Sequence, residues 1–141
     1  MIPSITSKPI DQDATQMNEH EIDIGIERQR VLHLFRHGYS NYMEHAFPLD
    51  ELCPLSCSGR NTIGNFSLTL IDSLDMLAIV GDLPEFRKQI MWIQGEEFSL
   101  DINVNVSAFE TNIRVLGGLL SAHILAEDLL VCLLVVWRYV D

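Results

Sequence analysis

Asn105-Val-Ser-Ala-Phe-Glu-Thr-Asn-Ile-Arg-Val-Leu-Gly-Gly-Leu-Leu-Ser-Ala122 is the stretch whose reading decides the fold. Ser107 stands three places before Glu110, and an apolar run follows. This is the capping-box pattern of a helix start, with Ser107 at the N-cap and Glu110 at N3. Glu110 and Arg114 lie one turn apart, so their side chains leave the same helix face. Ile113, Leu116 and Leu120 mark a second, apolar face. Gly117-Gly118 permits close approach of another backbone, at a cost of about 1 kcal/mol per Gly relative to Ala. Local chemistry alone reads Glu110 and Arg114 as a cap plus a surface ion pair worth under ~1 kcal/mol.

Upstream, Gly64-Asn-Phe-Ser-Leu-Thr-Leu-Ile-Asp-Ser-Leu-Asp-Met-Leu-Ala-Ile-Val-Gly81 is apolar on most sides from Ser67 to Val80, which predicts a buried helix. Asp72 and Asp75 on that helix need partners, because an unpaired ionised carboxylate is too costly inside. Both are expected to be largely buried and hydrogen-bonded, either as structural ties or beside a ligand. Asp82-Leu-Pro84 carries an Asp cap and an early Pro for a helix whose stripe is Phe86, Ile90 and Ile93, ending at Gly95. Leu100 to Val106 alternates apolar and polar residues, a strand-like pattern.

Between about Ile26 and Phe47 the apolar positions Val31, Leu34, Phe35, Tyr42 and Ala46 recur at helical steps, and Pro48 ends the pattern. Met1 to about Asp23 has no apolar period and reads as a loose arm. The expectation is an all-α chain with helices near 28–46, 67–80, 84–94 and 107–137, packed as antiparallel pairs.

The 141 residues suffice for one core, and the formal net charge of −11 argues against nucleic acid as a partner. Leu129 to Trp137 is the longest apolar run, half of what a membrane span needs, so no span is expected. No secretory signal pattern is visible in residues 1–30. Cys53, Cys57 and Cys132 are odd in number, which leaves one bridge plus a thiol, or no bridge, both open. His33 and His37 with Cys53 and Cys57 match no standard zinc spacing, so no metal site is assigned. Asn65-Phe-Ser67 and Asn105-Val-Ser107 are N-glycosylation sequons.

Phe109 to His123 resembles the helix that carries the general acid in glycoside hydrolase family 47, and most of all in its ER degradation-enhancing α-mannosidase-like members. Gly64 to Gly81 is similar to a second helix of that family. Asn41-Tyr-Met-Glu-His-Ala-Phe-Pro-Leu-Asp-Glu-Leu-Cys-Pro-Leu-Ser-Cys57 is similar to its first barrel helix and following loop. The resemblance covers about Val31 to Ala122. It implies a partial (α/α) barrel over residues 26–141, divergent after 122, behind an arm at 1–25. The 100–106 stretch becomes an extended connector.

The resemblance further implies removal of α-1,2-linked mannose from N-glycans of misfolded glycoproteins in the endoplasmic reticulum, with inversion. Glu110 matches the general acid, and Arg114 and Asp72 match sugar-binding positions. Asn65 and Asn105 would carry glycan. The family's Ca²⁺, its ligands and the base carboxylates fall beyond this chain. The expectation is therefore a truncated mannosidase relative, inactive alone. The alternative is a non-catalytic quality-control protein that binds glycoproteins or partners.

Overall fold

The computed structural model describes residues 12–128, and the side chains of residues 23–126. Residues 1–11, the apolar run Leu129–Trp137 and Cys132 lie outside the described residues. The chain divides into two compact units between Arg36 and His37.

Helix α1 spans Gln12–His45. It starts well before residue 28, the start that apolar periodicity predicts. Residues 12–25, read from the sequence as part of an arm, are helical; with few apolar side chains there, periodicity had nothing to register. In the first unit Ile24, Val31 and Leu34 are exposed, and Arg30 pairs with Glu27 one turn away. In the second unit the end of α1 is anchored: Tyr42 and Ala46 are buried, and the Tyr42 hydroxyl donates to the Leu49 carbonyl at 2.7 Å. Pro48, joined to Phe47 by a cis peptide bond, stops the helix.

A small antiparallel hairpin follows, β1 Glu51–Cys53 and β2 Ser58–Arg60, with Glu51 opposite Arg60. Sequence periodicity does not predict it, because three-residue strands are too short to show alternation. Gly59 is required here: a Cβ at that position would lie 2.7 Å from the Ala46 carbonyl oxygen.

Helix α2, Leu68–Ile79, is the centre of the core. Leu68, Leu70, Ile71, Leu74 and Leu77 are buried, each contributing about 1.5–3 kcal/mol relative to exposure. Its first turn is capped by the chain before the hairpin: Thr69 N–H and Thr69 Oγ1 both donate to the Asp50 carbonyl, at 2.9 and 2.7 Å. Helix α3, Leu83–Ile93, begins at Asp82, whose side chain accepts from the Glu85 N–H, as its Asp-x-Pro start predicts. Phe86, Ile90 and Ile93 are buried, as the stripe requires. Tyr39 of α1 donates to Glu85 of α3 at 2.9 Å. Burial and the adjacent Glu85 carboxylate push the Tyr39 hydroxyl well above its usual range.

Residues 96–107 form no helix or strand. The alternation at 100–106 does not become a strand, because among the described residues no segment pairs with it to complete a ladder. Trp92 packs against Phe47 and Phe98, at ring-centroid distances of 4.8 and 5.6 Å, closing the base of this connector.

The stretch quoted at the outset is helical from Ala108 onward but not uniform. Helix α4, Ala108–Glu110, passes into a π-helical segment, Thr111–Leu116, and then into α5, Gly117–Asp128. α2 packs against α5, the π segment and α3. Val115, Leu119, Ala122 and Ala126 make the buried stripe, while Ile113, Leu116 and Leu120, expected to mark a packing face, are exposed. Small residues explain the choice. A Cβ on Gly118 would lie 2.7 Å from Ile71 Cγ2, so α2 has settled onto the Gly and Ala side. The described fold is all-α apart from the hairpin.

Candidate active site

The site is built from three elements that meet at Arg114. The π segment carries Arg114, α2 carries Asp72, and β1 carries Glu51. Arg114 Nε and Nη2 both donate to Asp72 Oδ2, at 2.8 and 2.5 Å. Nη1 donates to Glu51 Oε1 at 3.1 Å. The other Glu51 oxygen accepts from Arg60 Nη2 at 3.3 Å, across the hairpin. Two guanidinium groups and two carboxylates therefore alternate in one chain. Burial works against the charge on Arg114, but Asp72 and Glu51 outweigh it and hold the guanidinium more firmly protonated than usual.

Asp72 is a correction to the sequence reading. Its side chain is one-third exposed rather than buried, on the rim where α2 meets the π segment. Pairing with Arg114 satisfies the carboxylate without burial. Asp75 is half-buried and accepts from the Ser121 hydroxyl at 3.2 Å. Both therefore have partners, as expected, but they border the core rather than enter it.

Glu110 keeps only half of the capping box. Ser107 Oγ accepts from the Glu110 N–H at 3.4 Å. Among the described residues, no hydrogen bond or ion pair reaches the Glu110 carboxylate, and Arg114 is turned to Glu51 and Asp72 instead. The surface ion pair that an i, i+4 spacing suggests is absent. The half-buried Glu110 side chain is thus left without a salt bridge, four residues before an Arg114 held by two other carboxylates.

Two residues that sequence reasoning did not single out hold this site together. Glu51 orients Arg114. Its neighbour Asp50 is fully buried, with 0 % exposure, and accepts five backbone N–H groups. Those of Thr62, Ile63, Gly64 and Asn65 reach Oδ2, and that of Phe66 reaches Oδ1 at 2.6 Å. Burial alone would raise the Asp50 pKa, but the donated N–H bonds outweigh it and hold the carboxyl below its usual range. The available signal was an Asp-Glu pair just after Pro48, followed by the turn-rich Asn61 to Asn65.

Asn65 and Asn105 are both exposed. Cys53 and Cys57 are free thiols. The described residues do not fit a Ca²⁺ site. Among the described residues no three His, Cys, Asp or Glu side chains gather to hold a metal, and Glu51 and Asp72 already grip a guanidinium. Among the described residues no helix is long and apolar enough to cross a membrane.

Residues 34–134 match the family model for glycosyl hydrolase family 47. The chain belongs to that family. It is 55 % identical over 101 residues to alpha-mannosidase I MNS4 of Arabidopsis thaliana, covering 72 % of this chain and 16 % of that protein. Against the human ER degradation-enhancing alpha-mannosidase-like protein 2 it is 55 % identical over 100 residues, covering 71 % and 17 %. The like-named protein 1 of Saccharomyces cerevisiae is 40 % identical over 116 residues, covering 72 % and 15 %. The chain thus spans about a sixth of the length of these family 47 relatives. Arg114, Asp72 and Glu51 all fall inside the matched segment.

Proposed function

We propose that this family 47 chain carries the acid side of an α-1,2-mannosidase site that trims N-glycans on misfolded glycoproteins in the endoplasmic reticulum. The observation that carries the reading is the unpaired Glu110 carboxyl four residues before an Arg114 immobilised by Asp72 and Glu51. In this reading Glu110 protonates the leaving oxygen, and Arg114 donates to sugar hydroxyls with a guanidinium that cannot swing away. Asp72 holds that guanidinium at the sugar. An inverting glycosidase also needs a base carboxylate about 6.5–9.5 Å from the acid, with a water between. Glu51 and Asp72 are spent on arginines and leave the base to come from elsewhere. The helix pairs would form one part of an (α/α) barrel. The names of the relatives, as ER degradation-enhancing mannosidase-like proteins, support the compartment and the glycoprotein substrate class.

The test is a chimaera in which residues 34–122 replace the matching segment of the human relative. Mannose release from an α-1,2-linked oligomannose glycan should survive the exchange and fall at least ~10²-fold on Glu110→Gln, with glycan binding kept. Release unchanged by Glu110→Gln overturns the assignment.

A second reading, of a non-catalytic chain that binds quality-control partners, is favoured by one observation. Phe109, Ile113, Leu116, Leu120 and Ile124 form an exposed apolar strip along the π segment and its flanking helices. Binding of an unfolded oligomannose glycoprotein that is lost on replacing Ile113 and Leu120 with Ser, but kept by Glu110→Gln, would select this reading.

A further inference from the structure

We infer that Glu51 is a positioning residue that fixes which two N–H groups of Arg114 face the mannose, an inference that rests on the mannose reading above. A guanidinium has five N–H donors. Three are used here: Nε and one of Nη2 on Asp72, and one of Nη1 on Glu51. What remains is one N–H on each terminal nitrogen. Two donors on adjacent nitrogens of one rigid plane suit two neighbouring hydroxyls of a pyranose.

Asp72 alone does not fix that pair. It grips a single edge of the guanidinium through one oxygen, about which the group can still tilt. Glu51 supplies the second point, on a different nitrogen and from a different element. Glu51 is itself fixed from both sides. Its other oxygen accepts from Arg60, the residue directly across the hairpin. Its chain neighbour Asp50 ties the strand to the Thr62–Phe66 backbone and to the first turn of α2. The hairpin thus acts as a rigid arm whose tip is one carboxylate.

The reach of that carboxylate is the quantity that matters, and charge and geometry can be separated. Glu51→Asp keeps the charge and shortens the side chain by one methylene. Glu51→Gln removes the charge and keeps an oxygen where Nη1 can donate. The experiment titrates α-1,2-mannobiose into the ¹⁵N-labelled full chain and follows the Arg114 Nε–H signal, with circular dichroism as the check on folding. The wild type should bind with a shift of that signal. Glu51→Asp should weaken binding about tenfold, the loss expected for one misplaced charged hydrogen-bond contact. Glu51→Gln should stay within about threefold of the wild type, a change of under ~1 kcal/mol.

Wild-type affinity in Glu51→Asp overturns the positioning role and leaves the mannose reading standing. Equal losses in the Asp and Gln variants overturn it too, because charge alone would then account for Glu51. No binding by the wild type overturns both. Should Glu51→Asp fail to fold, Arg60→Ala serves instead, since Arg60 is mostly exposed. It frees one side of Glu51 and should broaden the Arg114 Nε–H signal; an unchanged signal overturns the inference.

Discussion

Asp50 carries more of the structure than any catalytic candidate. Its carboxylate is the acceptor for five N–H groups that belong to no helix or strand. Asn in its place would turn an amide NH₂ toward some of those donors. Asp50→Asn is expected to cost at least about 3 kcal/mol, read as a drop in the urea midpoint. The pH dependence has a definite sign. The folded-state pKa is lowered, so the unfolded chain binds the proton more readily. Asp50 therefore contributes stability above the ordinary Asp value of about 3.9, and that stability is lost as pH falls through the lower folded value. Thermal midpoints between pH 6 and pH 3 should fall in the wild type and fall less in Asp50→Asn.

At Glu110 the two readings of the sequence separate on stability as well as on chemistry. Its N–H, not its carboxylate, makes the cap bond to Ser107. Ser107→Ala should cost about 1 kcal/mol, and Glu110→Ala, which removes the carboxylate that a capping box would use, should cost much less. A Glu110→Ala loss as large as that of Ser107→Ala would restore the full capping box. The Glu110–Arg114 spacing was legible, but the partner of Arg114 was not. Choosing Glu51, 63 residues away, requires knowing that the hairpin returns to the π segment.

At the scale of elements, the Gly pair divides its labour. Gly118 sits against α2, where a Cβ would meet Ile71 Cγ2 at 2.7 Å. A Cβ on Gly117 would meet only the Asn112 carbonyl at 3.6 Å, an ordinary contact. Gly118→Ala should therefore destabilise by about 1–3 kcal/mol, partly recovered by Ile71→Val. Gly117→Ala should stabilise by up to about 1 kcal/mol. Chemical denaturation of the three variants checks this; equal effects at both positions would contradict the packing. The sequence announced a close approach but not which Gly makes it, because the π segment shifts the faces that a 3.6-residue period predicts. The same shift explains why Ile113, Leu116 and Leu120 read as a packing face and lie exposed. α2 and α3 were legible because Asp82, Pro84 and the stripe of Phe86, Ile90 and Ile93 agree with one another. The hairpin was not, since its order comes from Gly59 under Ala46 and from Asp50, both tertiary facts.

For the whole molecule, the proposed acid side, with both carboxylates at Arg114 taken up by arginines, has a kinetic consequence. The chain by itself should release no measurable mannose from an α-1,2-linked oligomannose glycan, with or without added calcium. General acid and base groups contribute roughly 10²–10⁴-fold each, and the two carboxylates nearest Arg114 are paired with arginines. Turnover by the chain alone that Glu110→Gln abolishes would mean that a complete site exists here.

The segment from Thr62 to Phe66 looks from its backbone like an ordinary surface loop. Its amide protons nevertheless point inward, to a carboxylate that solvent does not reach. Such protons can leave for deuterated water only when the whole cradle opens, and it cannot open without uncapping α2. Hydrogen–deuterium exchange should therefore find these five amides as slow as those of Leu74 and Leu77 in the core helix. In Asp50→Asn they should exchange at the rate of a free loop.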